Sequence, residues 1–172
     1  MSETLKTLKS RRSCRAYKPD LIEEEKLNAI IEAGTYAATG MGRQSPIIIA
    51  VTDRKMRDKL SKMNAKIMGM DNDPFYGAPE LLIVLADKDI PTYIYDGSLV
   101  MGNMMNAAED LGVANCWIHR AKEEFESDDG KKILNELGIE GNYEGIGHLI
   151  LGYAAKPFGI AAPRKSNYVY RV

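Results

Sequence analysis

A chain of 172 residues, 45% apolar and 27% charged, is long enough to build a core without staples and ordinary enough to be a soluble globular protein. Its formal net charge of −1 argues against a general binder of nucleic acid or anionic membrane, which would carry a basic excess. The longest apolar runs, at 47–51 and 81–86, are too short to span a bilayer, and Met1-Ser2-Glu3 does not open a signal peptide. The expectation is one domain over 1–172, without membrane or nucleic-acid partners, in the cytoplasm. Cys14 and Cys116 lie far apart in sequence with no metal-ligand spacing around them, which suits a reducing compartment.

In chain order, 3–10 reads as a short amphipathic helix carrying Leu5 and Leu8, ending at a basic cluster. Pro19-Asp20 breaks the chain. A helix is predicted over 23–38, with Leu27, Ile30, Ile31 and Gly34 on one face. Thr39-Gly40-Met41-Gly42 is a loop, and 47–51 a buried strand. Asp53 is a plausible N-cap for a helix bearing Met56, Leu60, Met63 and Ile67. A turn-rich loop at 71–79 leads into a second buried strand at 81–86. The longest helix, 94–111, has Val100, Met104, Ala107, Ala108 and Leu111 as its core face and Gly112 as its stop. Its small residues Gly97, Ser98 and Gly102 invite close approach of another helix, and its methionines read as core filling. Strands are predicted at 113–118, 148–153 and 168–172, with a helix at 127–137 and an irregular stretch at 157–163. Helices and strands mix without strict alternation, which points to an α+β sheet covered on both faces. The last strand follows an irregular arm and is suited to pair with a distant edge, on its own chain or on another subunit.

The cluster Arg11-Arg12-Ser13-Cys14-Arg15 is the sharpest chemical signal. A guanidinium presents a donor fork that fits a phosphate and stays charged at physiological pH, and hydroxyls complete such a cradle. With a net charge near zero, a local basic cluster points to a small anion.

Placed in this framework, the chain resembles the nitroreductase family of FMN-dependent oxidoreductases. Arg11-Arg12-Ser13-x-Arg15 is similar to the family's N-terminal flavin-binding block, and Ala37-Ala38 through Gln44 to a second motif, Ala-Pro-Ser-x-x-Asn-x-Gln-Pro-Trp. Gly77-Ala78-Pro79, Leu111-Gly112 with Cys116-Trp117-Ile118, and Gly152-Tyr153 with Arg164-Lys165 are similar to further pieces in the same order. The chain departs from the second motif with Ala38-Thr39 for Pro-Ser, Gly42 for Asn and Ser45-Pro46 for Pro-Trp.

The resemblance implies a mainly antiparallel sheet in three α/β/α layers, and one FMN per chain. It assigns the phosphate to Arg11 and Ser13 with Arg164 or Lys165, the flavin N1–C2 carbonyl edge to Arg15, and the ring or ribityl chain to Arg12. It implies that Trp117, Ile118 and His119 lie along the flavin, with a backbone N–H of the 118–120 segment facing N5. It further implies a homodimer, in which Thr39 and Gln44 meet the partner's FMN, while the contact made by the family's Asn falls either to the N–H of Gly42 or to Arg43; the last strand is a candidate for exchange between subunits. NADH or NADPH and a small electrophile, a nitroaromatic or a quinone, would share one pocket in ping-pong hydride transfer. No Gly-x-Gly-x-x-Gly follows a strand to suggest a separate dinucleotide domain. No side chain is needed as a general base, so His119 and His148 read as structural and the cysteines as bystanders. A non-catalytic flavin-storage protein, and a small phosphate-ligand or nucleic-acid module built on the arginines, are the alternatives.

Overall fold

The computed structural model describes residues 1–172. The elements are α1 (Glu3–Ser10), α2 (Glu24–Thr35), a 3-10 turn (Gly40–Gly42), β1 (Pro46–Val51), α3 (Arg54–Met68), β2 (Glu80–Asp87), α4 (Tyr93–Asp110), β3 (Ala114–Ile118), α5 (Ala121–Glu126), α6 (Asp128–Glu136) and β4 (Tyr143–Gly152). The strands form one antiparallel sheet in the order β1-β2-β4-β3. None of the helices is long and apolar enough to cross a membrane.

Strand periodicity sorts the core into two layers. Leu81, Ile83 and Leu85 of β2, Cys116 and Ile118 of β3 and Ile150 of β4 face α3, α5, α6 and the buried Phe75. Leu82 and Val84, with Leu149 and Leu151, face α2 and α4. β2 is therefore buried on both sides, and its continuous apolar run reflects that position. Each of these side chains contributes roughly 1.5–3 kcal/mol by leaving water. The expected three-layer α+β architecture is the one observed.

Particular elements differ from expectation. α2 ends at Thr35, three residues early, because Tyr36 leaves helical geometry and Thr39 enters an extended conformation. The glycine that admits a neighbouring helix is Gly34 of α2, where an added Cβ would lie 2.7 Å from Met104. On α4, Gly97 instead seats Ile146, whose Cγ1 would be 2.5 Å away, while Gly102 faces open space. Ile146 is the extra residue of a β-bulge opposite Val84/Leu85.

β4 begins at Tyr143, well before the predicted 148, since Gly145 and Gly147 pack under other elements and do not break the strand. α5 is a short helix that the sequence reading did not anticipate. The predicted strand at 168–172 does not form within one chain. Residues 156–172 leave the body exposed, and a lone extended segment has no ladder to join.

Candidate functional site

The sheet leaves β3 at one edge, and the arginine cluster runs beside it. Ser13 makes a parallel bridge to Asn115, with the Cys14 amide donating to the Asn115 carbonyl at 2.9 Å. Tyr17 then bridges Ala154 in antiparallel fashion. The segment thus lies across the β3–β4 end of the sheet. Its neighbourhood contains a cavity of about 430 Å³ lined by Arg12, Ser13, Arg15, Lys156 and Phe158 among others. A second of about 200 Å³ runs from Arg15 past Trp117 and Ile118 to His119 and Arg120, walled by Asn72, Pro74 and Tyr76. A third of about 470 Å³ continues from Trp117, His119 and Arg120 to Ile94 and Ser98 of α4. Shared residues make the three one cleft along the β3 edge.

The donors in this cleft are unevenly used. Arg11 ends α1 through its amide, and its Nη1 is buried without a partner. Arg12 turns back on the same helix: Nη1 donates to the carbonyls of Lys9 at 2.7 Å, Ser10 at 2.9 Å and Arg11 at 2.8 Å. That places a cation at a helix C-terminus, where the backbone dipole favours it, while its Nε is left buried and unpaired. Arg15 is exposed and makes no hydrogen bond or ion pair within the chain. A buried donor without an acceptor costs about 1–3 kcal/mol, so such atoms call for a ligand.

At the other end of β3, the His119 and Arg120 amides find no acceptor within the chain. Trp117 is half-buried, its Nε1 also unpartnered, and it fits only because position 147 is glycine: a Cβ there would lie 2.5 Å from Nε1. The His119 ring is tilted beside it at 6.2 Å between centroids, on the exposed side.

The bridge at Ser13 makes Cys14 and Cys116 neighbours, a proximity their sequence separation hides. Burial pushes the Cys116 thiol up, against the opposing influence of Ser13 and the arginines. A thiol held protonated is a poor nucleophile, in keeping with a packing role. His148 is fully buried, its Nε2 2.6 Å from the equally buried Glu124 Oε2 and its ring edge-on to Phe75.

Thr39, Gly42 and Gln44 do not line the cleft of their own chain. Buried Asp96 of α4 organises their loop, accepting from the Gly40 amide at 2.9 Å and from the hydroxyls of Ser45 at 2.9 Å and Thr92 at 3.0 Å. The Thr39 hydroxyl accepts the Gln44 amide at 3.1 Å, and Gln44 adopts a left-handed backbone at φ 50° that exposes its side chain. Arg164 and Lys165 are exposed and stay out of the cleft: Arg164 donates to its own Ala162 carbonyl, and Lys165 lies over the Tyr168 ring. The cation that the C-terminal arm brings to the arginine cluster is Lys156. Sequence reasoning missed Lys156, Asp96 and Gly147; only the buried glycine in a strand carried a signal, that of close approach.

Comparison with known proteins gives a consistent picture. A family model described as "Nitroreductase family" matches residues 8–153. An Archaeoglobus fulgidus protein provisionally named NADH dehydrogenase/NAD(P)H nitroreductase is 30% identical over 159 residues, covering 89% of this chain and 86% of that one. A Bacillus subtilis FMN reductase [NAD(P)H] is 30% identical over 122 residues, 66% of this chain, which spans only 47% of that enzyme. A crystal structure of a nitroreductase with bound FMN from Bacteroides fragilis superposes with a TM-score of 0.91 at 29% identity, covering 100% of both chains.

Proposed function

The chain belongs to the nitroreductase family, and from that premise we propose that it is an FMN-dependent oxidoreductase, taking a hydride from NADH or NADPH and passing it to a small electrophile such as a nitroaromatic or a quinone. The observation that carries this reading is the cleft along β3, lined at one end by Arg12, Ser13, Arg15 and Lys156, with the Arg11 Nη1 buried and unpaired beside them, and at the other by the free backbone amides of His119 and Arg120.

The donor set suits the group. Arg11, Ser13 and Lys156 supply cations and a hydroxyl for a phosphate. Arg15 supplies a mobile, unneutralised cation for the pyrimidine edge of the ring, and Trp117 an aromatic wall beside it. The amides of His119 and Arg120 are the donors for the central ring edge. Bound FMN supplies the hydride-transfer chemistry itself. The protein's share is to hold the ring against β3, to keep positive charge near its pyrimidine edge and to leave the opposite face open to both substrates in turn.

The same reading includes a homodimer. α4 carries Ile94, Tyr95 and Leu99 on its open side and α1 carries Leu5 and Leu8, all at least about half exposed. An apolar surface on the central helix of a water-borne chain is a contact surface. Through Asp96, the Thr39–Gln44 loop is tied to the end of that helix, so pairing across α4 supports its reach into the cleft of a second copy.

The test is optical. Protein reconstituted with FMN and desalted should stay yellow at close to one flavin per chain, and should bleach under anaerobic NADH or NADPH. A colourless product would overturn the cofactor assignment. A yellow product that neither nucleotide bleaches would identify a flavin-storage protein.

A further inference from the structure

The flavin accounts for the Arg120 backbone amide but leaves the Arg120 side chain without a role. The residue holds a left-handed backbone, φ 79°, where a non-glycine side chain is strained. Its guanidinium is gripped from behind: Nε donates to Asn64 Oδ1 at 2.9 Å, and the same amide's Nδ2 donates to the His119 carbonyl at 2.8 Å. Asn64 is completely buried in α3. One core amide therefore fixes both the backbone and the side chain of the turn that follows β3. The backbone of Ala121 presses onto Gly145 of β4 next to it, where a Cβ would lie 2.2 Å from the Ala121 carbonyl, so the turn has no room to relax.

With Nε engaged, the Nη1 and Nη2 pair forms the free end of the fork, and neither donates to any group of the chain. No carboxylate neutralises it. Its cationic neighbour Lys122, in contrast, is engaged by Glu126 at 3.0 Å and by Glu144. Arg120 lines both the 200 Å³ and the 470 Å³ portions of the cleft, at their junction beside Trp117. A guanidinium held rigid by a buried amide, strained to keep its place and left without a counter-ion, is organised for a planar or tetrahedral oxyanion.

We propose that Arg120 is a specificity residue, whose Nη1/Nη2 fork binds the carboxylate or phosphate oxygens of a substrate lying in the cleft beside Trp117. The inference rests on the oxidoreductase reading above. The anion has two sources, an acidic oxidant or the 2′-phosphate of NADPH, and the experiment separates them.

Glycine adopts the left-handed backbone without strain, so Arg120→Gly removes the fork and keeps the fold; Arg120→Lys keeps the charge and loses the fork. With the FMN-reconstituted protein, turnover of 4-nitrobenzoate is compared with that of neutral 4-nitrobenzamide, and flavin bleaching by NADPH with that by NADH. The wild type should favour one anionic member by about tenfold or more, and both variants should bring that ratio close to one. A collapse in the nitrobenzoate ratio identifies an acidic oxidant; a collapse in the NADPH ratio identifies the nucleotide phosphate. Trp117 is the single tryptophan, so its emission titrated with benzoate and benzamide reads anion binding without turnover. If flavin is absent or inert while benzoate still binds through Arg120, the oxidoreductase reading fails and the anion site stands. Equal ratios in wild type and Arg120→Gly, with equal affinity for benzoate and benzamide, would overturn the proposal.

Discussion

Arg11 and Arg15 belong to one short segment but meet different surroundings. Arg11 has a buried, unpaired Nη1 at the end of α1, whereas Arg15 is exposed and free. Arg11→Ala is expected to weaken FMN binding by about 2 kcal/mol, the scale of a lost charge-assisted hydrogen bond, or about thirtyfold in dissociation constant. Arg15→Ala is expected to keep most of the binding and to lower the flavin midpoint potential, since reduction then adds negative charge with less positive charge beside it. Equilibrium FMN titration and spectroelectrochemistry of both variants test this; identical behaviour in both assays would refute the division. At this scale the basic cluster was legible, because guanidiniums beside a hydroxyl announce an anion whatever the fold. Its internal division was not. That Arg12 spends its Nη1 on three carbonyls at the end of α1 is a property of the helix end, and that Lys156, and not Arg164 or Lys165, lines the cavity beside the cluster depends on where the arm leaves the sheet.

Among the elements, the 71–79 loop shows how a cleft wall is held. Asp73 accepts from the Arg57 guanidinium at 2.5 Å, the Ser61 hydroxyl at 2.6 Å, and the amides of Phe75 at 2.9 Å and Gly77 at 2.8 Å. Burial works to raise the Asp73 pKa, but these donors prevail and hold it below its ordinary value of 3.8. A lowered folded value means that the stabilisation is complete above the unfolded value and fades as pH falls through the folded one. Asp73→Asn should therefore lower stability at neutral pH and flatten the acid limb of the stability profile below about pH 4. Urea midpoints followed from neutral pH into acid check this; parallel profiles for the two proteins would show that Asp73 carries none of the acid sensitivity. The loop was legible as turn-rich sequence, but the Arg57–Asp73 pin joins residues whose meeting only the packing of α3 creates. α5 was hidden for a related reason. Ala121–Glu126 is six residues of mostly charged sequence, too short for helical periodicity to register, and it is stabilised through buried Phe125 and the contact of Ala121 on Gly145. The long apolar strand β2 and the helices α3 and α4 were legible because each repeats its pattern over several turns or pleats.

The whole molecule exposes more apolar surface at α1, α4 and the C-terminal arm than its core requires; Tyr95 is 72% exposed, Leu99 50% and Ile160 101%. A dimer across α4 would bury the helix faces and give the arm a surface to follow. Light scattering at micromolar concentration should then return about twice the 19.1 kDa chain mass. Deletion of 159–172 is expected to lose dimer and flavin together. A truncated monomer that keeps FMN would contradict the shared-site arrangement. The strand predicted at 168–172 belongs to this scale. Its alternating Tyr168-Val169-Tyr170 pattern is legible, yet a strand exists only where another edge accepts it, and the arm joins no edge of its own sheet.

The strand order carries a further consequence for how the protein is made. β4, synthesised last of the four, sits between β2 and β3, pairing with β2 over nearly its whole length and with β3 over His148–Gly152. Until residue 152 has emerged, β2, a ribbon of leucine, isoleucine and valine, has one edge open, and β3 has no sheet to join. Closure thus waits for β4, and chains interrupted before it are sticky intermediates rather than smaller folded proteins. Ribosome-stalled fragments ending before 143 should be protease-sensitive and chaperone-bound, with protection appearing in a single step once β4 clears the exit tunnel.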